Sequence, residues 1–120
     1  MRTKICLLTL CILAIMIDIG TAEGQYGIIV YPGAKYDSGI SEFLKQMSSK
    51  SAAYRTSDSV AKVVDFYKKQ AGFKLVDNPT KEVAFFRKSN VDVTIQSPYL
   101  NTKTGNMMHD TLISIVTSQK

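Results

Sequence analysis

The chain has 120 residues, with 15 Lys and Arg against 10 Asp and Glu, a formal net charge of +5, and 45% hydrophobic residues. That is enough for one domain with an ordinary core and excludes two. Both cysteines, Cys6 and Cys11, lie near the N-terminus in a segment that reads as a leader, which excludes disulfide and thiol chemistry from the rest.

Arg2 and Lys4 form a positive start, Ile5 to Ile17 is an almost unbroken apolar run, and Gly20-Thr-Ala22 supplies small residues before Glu23. These parts, in this order, predict a signal peptide over residues 1–22 and a single mature domain over 23–120. The apolar run ends at Asp18, short of the ~20 residues that span a bilayer. Neither cysteine follows a small residue, so lipidation is not expected. Without Arg2, Lys4 and Asp18, residues 23–120 hold 13 basic and 9 acidic side chains, a net +4. The basic residues are scattered, so no nucleic-acid stripe is expected, although an anionic polymer would still be attracted.

Glu23 to Gly27 reads as a flexible start, and Ile28 to Tyr31 as a short strand stopped by Pro32-Gly33. Ile40, Phe43, Leu44 and Met47 share one helical face and predict a short helix from about Ser38 to Ser48. Ala52 to Thr56 reads as a strand leading into the main helix. There Val60, Val63, Val64, Tyr67 and Ala71 fall on one face of about four turns. Ser57 or Asp58 is expected to cap that helix, Lys68 and Lys69 suit its negative end, and Gly72 stops it.

Phe73 to Val76 alternates and ends in the turn Asp77-Asn-Pro-Thr80. Val83 to Lys88 is apolar on both phases and reads as a central strand. Ser89-Asn90 is a two-residue turn in which Asn90 is expected to take the positive φ. Val91, Val93 and Ile95 then alternate with Asp92, Thr94 and Gln96, the pattern of a half-buried strand. After a polar turn over Asn101 to Asn106, Leu112 to Thr117 is the last strand.

The predicted order is β-α-β-α-β-β-β-β. It implies an α+β fold, an antiparallel sheet of about four to five strands with the main helix and a shorter N-terminal helix packed on one face. Tyr31-Pro-Gly-Ala34, Thr56-Ser-Asp-Ser-Val60 and Val64-Asp-Phe-Tyr-Lys68 together resemble a recurrent type of small exported bacterial domain. These domains are described only as secreted or periplasmic. The similarity covers about residues 28–76 and implies an exported α+β domain, with no activity attached.

Chemistry is sparsely supplied. Tyr31 and Gly33 could form a binding turn, with the ring as a platform and the glycine admitting close approach; alternatively Tyr31 packs at the sheet edge. Arg55 and Arg87 each flank an apolar strand and could bridge a carboxylate or phosphate if their strands are neighbours. Met107, Met108 and His109 offer soft donors suited to copper, but adjacent strand residues point to opposite faces. His109 is the only histidine, and no nucleophile elbow, phosphate loop or zinc spacing is present.

The expectation is therefore an exported, non-catalytic binding or interaction module without a cofactor. It would meet a protein or polymer through the sheet face away from the main helix or through an edge strand. The alternatives are a small-ligand or copper carrier using the Met107–Asp110 loop, and a structural subunit that self-associates through edge strands.

Overall fold

The computed structural model describes residues 24–118, so the expected leader and its cysteines lie outside the described residues. In chain order the first elements are β1 (Gly24–Gln25), β2 (Ile28–Ile29), β3 (Lys35–Tyr36), α1 (Ser38–Lys45), β4 (Ser51–Thr56) and α2 (Val60–Lys68). They are followed by β5 (Lys74–Leu75), β6 (Val83–Lys88), β7 (Val91–Gln96), β8 (Tyr99–Leu100), β9 (Met107–Met108) and β10 (Thr111–Thr117). The main sheet has six strands in the order β3-β4-β10-β7-β6-β5, all its pairs antiparallel. The fold is α+β as expected, with a larger sheet. The extra strand is β3, only two residues long and too short to leave a periodic signal.

The N-terminal start is also paired. β1 and β2 form a separate hairpin through Tyr26 and Gly27, both at positive φ. The strand expected at Ile28 to Tyr31 is thus a two-residue piece outside the main sheet, though Ile28 is buried in the core.

Helix α2 is shorter than the predicted four turns, at nine residues. Ser59 is its cap, the hydroxyl accepting the Lys62 N–H at 3.2 Å. Asp58 is otherwise engaged, its N–H on Thr56 Oγ1 and its carboxylate on the Tyr31 hydroxyl. Ala71 falls beyond the helix and is exposed, while Gly72 takes φ +85° where the chain turns away. Val60, Val63, Val64 and Tyr67 pack on Val91, Val93, Ile95, Ile113 and Ile115, the face that alternation assigned. Tyr67 sits at the centre, its ring 5.1 Å from Phe73 and its hydroxyl donating to the Ile29 carbonyl at 2.8 Å. Burying each such side chain contributes about 1.5–3 kcal/mol, which makes this face the principal source of stability.

Helix α1 corrects the expectation of two helices on one face. Leu112 and Ile113 are neighbours in β10 and so point to opposite sides of the sheet. Ile113 belongs to the α2 core, whereas Leu112 packs with Ala53, Ile40 and Tyr99, with Leu44 and Met108 against them. Helix α1 therefore covers the reverse face, over β4 and β10. Ser41 Oγ accepts the Ala53 N–H at 2.8 Å, capping the open edge of β4 where β3 does not reach. Phe43 and Met47, expected on the buried face, are exposed.

Candidate functional site

Tyr31, Gly33 and Arg55, read from sequence as ligand-binding candidates, come to one end of the sheet, where β4 runs out and β10 begins. A cleft of about 460 Å³ there is lined by Gly33, Lys35, Asp37, Arg55, Ser57 and Asp110, among others. The register explains the gathering. Lys35 pairs with Arg55 across β3 and β4, Arg55 pairs with Leu112, and Asp110 immediately precedes β10. Asp37 follows β3 directly and caps α1, its Oδ1 accepting the Ile40 N–H at 2.9 Å. Gly33, at φ +83°, turns the chain into β3 with open space around it.

Three of the charges in this cleft, Arg55, Asp37 and Asp110, are spent on one another. Arg55 donates from Nε to Asp110 Oδ2 at 2.9 Å and from Nη1 to Asp37 Oδ2 at 3.3 Å. Asp110 also accepts the Tyr99 hydroxyl on Oδ1 at 2.5 Å. The Asp110 hydrogen bond holds the Arg55 guanidinium still more firmly protonated, and burial followed by Asp110 raises the Tyr99 phenol above its ordinary range. An arginine between two carboxylates has little attraction left for a third anion. Tyr31 is likewise a structural group, its ring edge-on to Phe66 at 5.3 Å and buried. Its hydroxyl donates to Asp58 Oδ2 at 2.5 Å, and burial, then Asp58, pushes its pKa from 10 up to about 12. Thr111 Oγ1 adds a bond to the Asp58 carbonyl at 2.6 Å. The network locks the Tyr-Pro-Gly turn, the α2 entry and the start of β10 together. Tyr31 is no exposed aromatic platform.

Arg87 lies elsewhere. Strands β10 and β7 separate β4 from β6, so Arg55 and Arg87 cannot bridge one anion. Arg87 forms its own two-bonded pair with Asp92, Nε to Oδ1 at 2.7 Å and Nη2 to Oδ2 at 3.1 Å. This pair stands on the reverse face, over the half that α1 leaves open. There a shallow groove of about 660 Å³ is lined by Lys74, Val76, Asp77, Phe85, Arg87 and Asp92, among others. Phe85 is 42% exposed and Val76 55%. They are cross-strand partners, the Val76 N–H donating to the Phe85 carbonyl at 2.9 Å.

The copper candidates do not converge. In the β8–β9 hairpin Met108 pairs with Tyr99 and turns inward to the α1 cluster, while Met107 pairs with Leu100 and both are exposed. The two thioethers thus lie on opposite sides of the hairpin, and His109 follows them as an exposed residue. Among the described residues, no group of three or more His, Cys, Asp or Glu could hold a metal ion. The sheet's edges are two-residue strands, a shape that limits pairing with another chain. No helix among the described residues is long and apolar enough to cross a membrane.

Phe85 was missed because Val83 to Lys88 looks apolar on both phases, as a central strand would. A signal was nevertheless present. The two-residue turn at Ser89-Asn90 sets Lys88 against Val91, which places Phe86 opposite Val93 and Phe85 opposite Thr94, on the polar phase. Comparison with protein families, with curated proteins and with solved structures finds no match to this chain.

Proposed function

We propose that the protein is an exported, non-catalytic binding module that meets a protein partner through the open half of its reverse sheet face. The observation that carries this reading is the Phe85–Val76 pair. Two large apolar side chains adjoin in a groove on a face that alternation otherwise fills with Asp92, Thr94 and Gln96. Single exposed apolar residues are ordinary, but adjoining ones in a groove rimmed by charge are the make-up of a contact surface. The polar cleft at the other end serves the fold, since Arg55, Asp37, Asp110 and Tyr99 satisfy one another. Export rests on the leader-like residues 1–22 and on the resemblance of residues 28–76.

The test places a benzophenone-bearing phenylalanine at position 85, and as a control at Lys62 on the far side of α2, in the producing cells. Irradiation should give a discrete adduct from position 85 and none of that size from position 62. Equal labelling at both positions, or none at position 85, would overturn the reading.

A further inference from the structure

Resting on that reading, we infer that the partner on this face is a second copy of the chain, the two sheets stacked about a two-fold axis. A two-fold interface brings a patch against itself, so the patch must be self-complementary. This one is. The groove carries Lys74 and Arg87 against Asp77 and Asp92, and so has no net charge. All of the net +4 of residues 23–120 therefore lies outside it. Two copies of a basic chain thus meet here without net repulsion, and an anionic polymer finds no net attraction in this groove.

Phe85 and Val76 supply an apolar centre that meets its own image. Arg87 and Asp92, already paired within one copy, can each reach the opposite charge of the other. Both are more than two-fifths exposed as side chains, so re-pairing across the axis needs little desolvation. Because neighbouring strands lie about 4.8 Å apart and each residue rises about 3.3 Å, β6 and β7 offer a face of roughly 10 by 20 Å, widened to about 14 Å only along the two-residue β5. That is well below the ~800 Å² per partner of a standard interface, so the pair is weak and forms only at high concentration.

The experiment is sedimentation equilibrium of the purified protein from about 10 μM to 1 mM, at low and at high salt. The mass should climb from one chain toward two, and more salt should strengthen the association by screening the basic remainder. Phe85→Lys and Thr94→Lys, both on the reverse face, should each hold the mass at one chain, while Phe43→Lys on exposed α1 should not. A single-chain mass up to 1 mM overturns the inference, as does association that survives both face variants or falls with salt. If the protein stays single while the position-85 adduct contains a different protein, the binding reading stands and the self-partner falls. An adduct of two chains supports both.

Discussion

Replacing Asp110 by alanine tests whether the polar cleft is a lock. The carboxylate makes two contacts, to Arg55 Nε at 2.9 Å and to the Tyr99 hydroxyl at 2.5 Å. The Arg55 side chain is 34% exposed and that of Asp110 24%, so solvent screens their pairing and its loss costs about 0.5–1 kcal/mol. Tyr99 is buried in the α1 cluster, and a buried hydroxyl left without its acceptor costs about 1–3 kcal/mol. The variant should therefore lose about 2–3 kcal/mol, a large share of the ~5–15 kcal/mol that holds a domain of this size. Arg55→Met should cost less, about 1 kcal/mol, because Tyr99 keeps its acceptor and Asp37 still caps α1.

Urea unfolding monitored by circular dichroism measures both, and the double variant Asp110→Ala with Tyr99→Phe isolates the coupling. The two changes should be markedly non-additive, since each removes the same hydrogen bond. A loss under about 0.5 kcal/mol for Asp110→Ala, or strict additivity with Tyr99→Phe, would refute the reasoning. An Arg55→Met cost exceeding that of Asp110→Ala would shift the weight of the lock to the ion pair.

Three further outcomes follow from local geometry. The phenols of Tyr31, Tyr67 and Tyr99 are all raised above their ordinary value of 10, mainly by burial, so folding favours their protonated forms. Their contribution is complete below pH 10 and, for Tyr31, is lost as pH rises from 10 to about 12. Ionisation of these three phenols should therefore coincide with loss of near-ultraviolet dichroism, and their ionisation before unfolding would contradict the burial account. Ser59→Ala removes the α2 cap and should cost about 1 kcal/mol in urea unfolding, while Ser57→Ala should be near neutral. Ser89 holds φ +56° at the first turn position between β6 and β7, where glycine is unstrained. Ser89→Gly should thus stabilise by about 0.5–1 kcal/mol, and an equal or lower melting temperature would show that the turn is not strained.

Period and turn chemistry are local, and what they govern was legible in the residues alone. The 3.6-residue spacing of Val60, Val63, Val64 and Tyr67 named the buried face of α2, and strict alternation named Val91, Val93 and Ile95 as its floor. The α+β class followed from the order of those patterns. Pairing across long separations was not legible. Nothing in Ile40 and Leu44 says which sheet face they cover; that depended on β10 lying between β4 and β7, with Leu112 on one side and Ile113 on the other. The same strand order drew Arg55 into the Asp37–Asp110 lock and set Arg87 beyond two intervening strands, on the other half of the same face. Phe85 stands between the two cases. Its outward phase was encoded by a two-residue turn, but its exposure was decided only when α1 settled over β4 and β10 and left β5 to β7 open. A helix of eight residues can cover only part of a six-stranded face, and where it stops is a matter of tertiary packing.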